Sequence, residues 1–366
     1  MRTLRAIYHI PIRAASPEGT LSAVGERLSD VSCFDFDAVL LSSFDSRAGS
    51  MRELVSLCAR LRALGLSMLL DIASLYSGVG TPAPVIAAVV RQGVADGLVL
   101  THREWQLPDV RETVRLCCKE NADLLFFVSD TYAMEGERPD AAARRGFTPT
   151  ALLSAEDADT AWAAELAAVG RTRHRLLTPL IPPREAMPDA WGDLALLLAW
   201  LLPGMPAVGA AMLHPLLGES TPTDAGRHAE RRRTQLLLRL GALRRTYPSL
   251  ALTQGALHSR CEGGVLTFAR RVSDGVLTVC ACLTPAEGEI TDRTVLTTPP
   301  LLSTGLYRRE GRTCLSGYGF AVCFTKKTVR PPAETNGEAA TETPEPTEGN
   351  AENANENIQN EPITGE

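Results

Sequence analysis

No apolar run in this 366-residue chain is long enough to cross a bilayer. The longest, Leu194 to Leu202, falls well short of the about 20 residues a spanning helix needs. The opening Met1-Arg2-Thr3-Leu4-Arg5 leads only into a short apolar stretch interrupted by Pro11 and Arg13, so no signal peptide is visible and a cytoplasmic location without membrane contact is expected. No Cys-x2-Cys pair has a second pair or histidines at a matching distance, which excludes the usual zinc sites, and no metal is expected. The nine cysteines are odd in number and scattered, and they read as buried free thiols. There is no Gly-x-Gly-x-x-Gly loop for a dinucleotide, and no cofactor is expected. Ser43 and Ser129 lack the Gly-x-Ser-x-Gly setting of a serine hydrolase. Aromatic residues make up only 5% of the chain, and no basic stripe is interleaved with them, which argues against a nucleic-acid partner; Arg231-Arg232-Arg233 lies in a helical pattern and reads as a solvated face.

What is present describes a globular protein: 45% hydrophobic residues and a mean hydropathy of -0.02. The charge is uneven. Residues 331–366 carry nine Glu and no Lys or Arg, so the preceding 330 residues carry +3 of the net -6. The terminal stretch has almost no large apolar residues with which to offset its ordering entropy, and a disordered acidic tail is expected.

From Leu4 to about Leu217 short apolar runs alternate with helical patterns. Strands are expected at 7–12, 36–41, 66–72, 98–101, 124–128, 150–153, 176–181 and 206–212, with helices at 51–64, 84–92, 110–119, 155–169 and 191–202. Strands alternating with helices imply parallel pairing with both faces buried. Eight such units predict an α/β fold of the (β/α)8 TIM-barrel type. After a helix at 228–246 the texture changes: 264–272, 275–283, 293–302 and 319–324 are strand-like, with turn signals and no helix between them. The expected organisation is a barrel over 1–250, a small antiparallel β-sandwich over 251–330, and the tail over 331–366.

Several segments in order carry a resemblance. These are Phe36-Asp37-Ala38-Val39-Leu40-Leu41-Ser42, the run from Leu61 to Asp71 through Gly65, Asp96-Gly97-Leu98-Val99-Leu100-Thr101, Pro203-Gly204-Met205-Pro206, and Leu243 to Leu250. Together they resemble the alpha-amylase family of glycoside hydrolases over residues 4 to about 325. The departures from the family pattern are as informative. Its fourth strand reads Gly-aromatic-Arg-apolar-Asp with the Asp as nucleophile; here Val99 takes the place of the Arg and Thr101 that of the Asp. Leu75-Tyr76 stand where the family has Asn-His. Pro179 to Arg184 occupies the Asn-His-Asp-x-x-Arg segment and retains only Arg184. The spacing from Asp71 to Gly97 leaves no room for the domain usually inserted after strand three.

The resemblance assigns Asp130 as the remnant of the acid/base residue and Asp71 as a structural acid of the site, or a base. His102, Glu104 and Trp105 beyond strand four, Tyr76, Arg184, and His214 beyond strand eight are candidates for sugar contact, with Asp45 and Glu104 expected on loops near the strand ends. Retaining hydrolysis needs two carboxyl groups about 5–5.5 Å apart and inverting hydrolysis about 6.5–9.5 Å. A threonine hydroxyl without a nearby base is a poor nucleophile. The combined losses imply a catalytically degenerate, amylase-like pseudoenzyme that binds an oligosaccharide or a protein partner. The alternative is a divergent hydrolase of α-glucosidic bonds with a relocated carboxylate pair.

Overall fold

Two aspartates fix where the first parallel strands begin. Asp37 accepts the backbone N–H groups of Arg5 (2.6 Å) and Ala6 (3.1 Å) just before the first strand. Asp96 accepts that of Met68 (2.8 Å) at the entry to the third, and Arg62 pairs with its other oxygen. The computed structural model describes residues 4–16, 18–26, 28, 31, 34–44, 47–76, 80–129, 149–169, 177–180, 189–213, 224–251 and 257–327. All of them fall within one compact unit, Met1–Lys327. The expected acidic tail lies outside the described residues.

The strands β1 (Ile7–Pro11), β2 (Ala38–Ser42), β3 (Ser67–Asp71), β4 (Gly97–Thr101), β5 (Leu125–Ser129), β6 (Leu177–Leu180) and β7 (Met205–Gly209) form one parallel sheet, in the order β5-β4-β3-β2-β1-β7-β6. Alternate residues of each strand face opposite ways. One face, with Tyr8, Ile10, Val39, Leu41, Met68 and Leu70, packs into the main core together with residues of the helices. The other face gathers Ile7, Ala38, Leu69, Leu125 and Met205 into a separate inner cluster. Gly97 belongs to this inner face because nothing larger fits: a Cβ there would lie 2.7 Å from both Leu125 Cβ and a Leu69 methyl.

Helix α1 (Met51–Ala63) follows β2 and opens on a reciprocal capping box between Ser50 and Glu53. It ends where Gly65 takes a φ of +78°, a conformation that favours glycine. Its buried face, Leu54, Leu57, Cys58 and Leu61, repeats at helical spacing. Helix α2 (Ala83–Arg91) precedes β4. A short helix α3 (His102–Gln106) and then α4 (Pro108–Glu120) follow it. The region 150–153, expected as the sixth strand, is instead part of helix α5 (Pro149–Leu153). Pro at a first helical position and the helix-favouring Ala151-Leu152-Leu153 outweigh the apolar run. Helices α6 (Ala158–Val169), α7 (Asp189–Leu201) and α8 (Asp224–Thr246) follow, and shorter helices lie at Ile12–Ala15, Leu21–Glu26 and Ala210–Leu213.

The arginine triplet is a solvated face only at Arg231 and, in part, Arg232. Arg233 is buried, donates to the Met212 carbonyl at 3.1 Å and lies 3.5 Å from the buried Asp193 carboxylate. Arg232 pairs with the same carboxylate from its more exposed side. Gly192 makes room for this packing, since a Cβ there would stand 2.5 Å from the Arg233 guanidinium. Arg244, also on α8, is buried and donates to three backbone carbonyls: Trp200 (3.0 Å), Arg5 (2.7 Å) and Gly204 (3.1 Å). One side chain thus ties together the end of α7, the turn into β7 and the segment leading to β1.

Beyond α8, strands β8 (His258–Glu262), β9 (Val265–Val272), β10 (Gly275–Cys282), β11 (Gly288–Glu289), β12 (Pro300–Arg309) and β13 (Arg312–Lys326) form one antiparallel sheet. Two differences from the sequence pattern have local causes. The expected strand at 293–302 begins as a helix, α9 (Arg293–Thr297), because Asp292 caps it by accepting from the N–H groups of Thr294 and Val295. Strand β8 is mostly polar and gave no alternation signal of its own; its pairing with β9 holds it in the sheet. The sheet joins the parallel part through Arg270, which donates to the Leu201 and Leu250 carbonyls, and through Asp159, which accepts from Gly263 and Gly264.

Of the described cysteines, all are free thiols; Cys118 is exposed and Cys261 half-buried, while the other six are buried. Among the described residues no helix is long and apolar enough to cross a membrane, and no cluster of three or more His, Cys, Asp or Glu could hold a metal ion.

Candidate functional site

The inner face of the parallel sheet changes character along its strands. Towards their N-terminal ends it is apolar, with Ile7, Ala38, Leu69, Leu125 and Met205. Towards their C-terminal ends the same alternation brings in His9, Ser42, Asp71 and Thr101. Pairing of His9 with Leu40, of Asp71 with Val99 and of Thr101 with Ser129 fixes this polar rim in register.

Asp71 ends β3 and is 8% exposed. One of its oxygens accepts the Ala73 N–H at 3.0 Å, capping the short helical turn Ile72–Ser74. Burial pushes its carboxyl up to about 6, the Ala73 hydrogen bond opposes that rise, and the Glu104 charge adds to it. Asp71 and Glu104 are therefore within electrostatic reach of each other.

Glu104 is not on a loop. Thr101 ends β4 and is at once the N-cap of α3: its hydroxyl accepts the Glu104 N–H at 3.2 Å, and the Glu104 carboxylate accepts the Thr101 N–H at 2.7 Å. Both side chains are occupied in starting a helix. Val99 is buried on the inner face, paired in register with Asp71 and Phe127, and no arginine stands on β4.

Trp105 is half-buried against the main core, and the Arg111 guanidinium lies 6.0 Å from its ring centroid while donating to its carbonyl. That cation covers ring surface on which a sugar could otherwise stack. Tyr76 donates its hydroxyl to the Gly80 carbonyl at 2.7 Å, and Leu75 packs against the core. His102 is the first residue of α3. Asp45, Asp130, Arg184 and His214 lie outside the described residues.

Sequence reasoning missed His9 and Ser42, whose Nε2 and Oγ are hydrogen-bonded at 2.7 Å across β1 and β2. Burial lowers His9 to about 4, so the ring is neutral at physiological pH. The signal was available: along β1, alternation places His9 on the face opposite Tyr8 and Ile10. Among the described residues the rim thus holds two neighbouring carboxylates and a neutral imidazole. Glu104 is held by its own backbone and Asp71 by the turn that follows it.

No family model matches the sequence, and no curated protein matches it. Solved structures do match in fold. A debranching enzyme from Nostoc punctiforme aligns at 14% identity with a TM-score of 0.61, over 88% of this chain and 98% of that one. A cyclic alpha-maltosyl-(1→6)-maltose hydrolase from Arthrobacter globiformis aligns at 15% identity and 0.61, again over 88% and 98%. An alpha-amylase from Lactobacillus plantarum aligns at 12% identity and 0.62, with the same coverage. The fold is that of the alpha-amylase family of glycoside hydrolases, as the order of the sequence motifs indicated. Identities this low carry the fold and leave the chemistry to the residues.

Proposed function

We propose that this chain is a catalytically degenerate amylase-fold protein that uses the rim of its parallel sheet to bind an α-glucan rather than to hydrolyse it. One observation carries the reading: the strand end where the fold's nucleophile would stand is built as a helix cap. The Thr101 hydroxyl accepts the Glu104 N–H and the Glu104 carboxylate accepts the Thr101 N–H, so both side chains are engaged in the cap, and a threonine hydroxyl is in any case a poor nucleophile without a base to activate it. The ligand class is suggested by the neighbours, which include a debranching enzyme, an alpha-amylase and a maltosyl-maltose hydrolase.

The reading takes the seven parallel strands as part of a (β/α)8 barrel that requires one more strand between β5 and β6. It takes the C-terminal strands as a small sandwich, and it goes with a cytoplasmic location. Calorimetry with maltooligosaccharides should give binding, and chromogenic maltooligosaccharides should give no turnover. Turnover abolished by Asp130→Ala or Asp71→Asn would overturn the degenerate reading, and absence of binding to any glucan would overturn the ligand assignment. The coupling of Asp71 to Glu104 favours a second reading, a hydrolase with a relocated carboxylate pair. It predicts turnover lost in both Asp71→Asn and Glu104→Gln.

A further inference from the structure

The hydrogen bond between His9 and Ser42 joins the two side chains that acyl transfer needs, and glucan binding makes no use of it. His9 is on β1 and Ser42 is the last residue of β2, both on the inner face towards the C-terminal ends of their strands. Parallel α/β barrels carry their catalytic side chains at that end. Ser42 Oγ and His9 Nε2 are 2.7 Å apart, within the range for a nucleophile and its base.

The state of the ring suits the same role. Burial lowers His9 to about 4, so it is neutral at physiological pH. In the tautomer with its proton on Nδ1, Nε2 offers a lone pair to which the Ser42 hydroxyl donates. Ser42 is 7% exposed and His9 half-buried, so neither is sealed off.

The backbone adds a second mark. Ser43, directly after Ser42, has a φ of +58°, which residues with side chains rarely adopt. Among the described residues Asp35, Glu310 and Tyr318 share this conformation, and none of them stands at the C-terminal end of a parallel strand. Backbone strain of this kind gathers at functional sites. Ser42 lacks a Gly-x-Ser-x-Gly setting, but nucleophile–base pairs recur on unrelated folds and are recognised by geometry.

We propose that Ser42 and His9 form a nucleophile–base pair that hydrolyses small carboxylic esters at the rim of the parallel sheet. Ser42 Oγ attacks the ester carbonyl carbon while its proton passes to His9 Nε2. The bond to the alcohol oxygen then breaks, and the alcohol leaves with that proton, giving an acyl-serine. Water attacks the acyl carbonyl and gives a proton to Nε2. Ser42 Oγ leaves and takes that proton back, and the carboxylic acid is released. The low exposure of Ser42 restricts the acyl group to a small one, such as acetyl.

The test treats the full chain with p-nitrophenyl acetate and, separately, with diisopropyl fluorophosphate, and locates adducts by peptide mass spectrometry. Wild type should release nitrophenol faster than buffer and be phosphorylated on Ser42. Ser42→Ala should lose both reactions, and His9→Gln should slow both about a hundredfold. The wild-type rate above buffer should be level from pH 5.5 to 8, because His9 stays unprotonated there, whereas an exposed histidine would give an inflection near its ordinary value of about 6.5. Circular dichroism checks that each variant folds; if Ser42→Ala does not, the position of the adduct in wild type decides. No adduct with no turnover above buffer, an adduct only on another residue, or labelling of Ser42 indifferent to His9→Gln overturns the pair. A hydrogen bond that serves structure alone gives the first of these results. None of the readouts involves a glucan, so glucan binding stands or falls separately.

Discussion

Thr101 and Glu104 close on each other from both directions, hydroxyl to N–H at 3.2 Å and carboxylate to N–H at 2.7 Å, where β4 turns into α3. The first consequence is for stability. Thr101→Ala leaves the Glu104 N–H without its cap and should cost about 1 kcal/mol. Thr101→Ser keeps the hydroxyl and should cost less than half of that. Urea midpoints at constant m-value measure the difference, and equal losses in the two variants would deny the hydroxyl its capping role.

Asp71 and His9 should pull the pH dependence of stability in opposite directions. Asp71 is raised from 3.8 to about 6, so the folded state holds its proton more tightly. Its contribution is fully present below about pH 4 and is lost as pH rises to about 6, with a size of roughly 3 kcal/mol. His9 is lowered from 6.5 to about 4, so its neutral form favours folding above pH 6.5 and that stability is lost as pH falls towards 4. In the wild type the two largely offset. Relative to wild type, Asp71→Asn should gain stability as pH rises from 4 to 6.5, and His9→Gln should lose it. Parallel curves for all three proteins would contradict both assignments.

Much of this rim was legible in the sequence because it sits on strands that announce themselves. Leu66 to Asp71 and the run from Gly97 to Thr101 are mostly apolar, lie at or just after glycines and end in polar residues. What was not legible depended on competition between local and distant preferences. Glu104 looked like a loop acid, since a capping box needs the strand end and the helix start to be known together. His102 to Gln106 is too short for any periodicity to reveal a helix. Pro149–Leu153 carried an apolar run short enough to suit either element. Arg233 read as solvated because its partners, Asp193 and the Met212 carbonyl, come from distant parts of the chain.

Arg244 should be the least replaceable polar residue of the parallel part. Its guanidinium satisfies three carbonyls at once, on Trp200, Arg5 and Gly204. Arg244→Met keeps volume but leaves those acceptors unpaired in a buried place, at about 1–3 kcal/mol each before relaxation. Arg244→Lys retains the charge without the planar fork and should recover only part of the loss. Thermal unfolding should order the proteins as wild type, Arg244→Lys, Arg244→Met; a methionine variant as stable as wild type would show that water or movement satisfies the carbonyls.

Restoring a carboxylate at position 101 offers a direct trial of whether the missing nucleophile is all that hydrolysis lacks. Aspartate is a good helix N-cap, so Thr101→Asp should fold and should accept the Glu104 N–H as threonine does. Its charge would then stand beside Glu104 and within the field that already raises Asp71, with Val99 rather than an arginine on the strand to stabilise it. A capped carboxylate crowded by two other acids is a poor nucleophile, and the proton needed by the leaving group has no assigned donor on the described strand ends. Thr101→Asp should therefore show no turnover of chromogenic maltooligosaccharides, while its apparent Asp71 titration moves above that of wild type. Turnover in Thr101→Asp that disappears on adding Asp71→Asn would mean the rest of the hydrolytic machinery is intact, and the protein would have to be read as one substitution away from an enzyme.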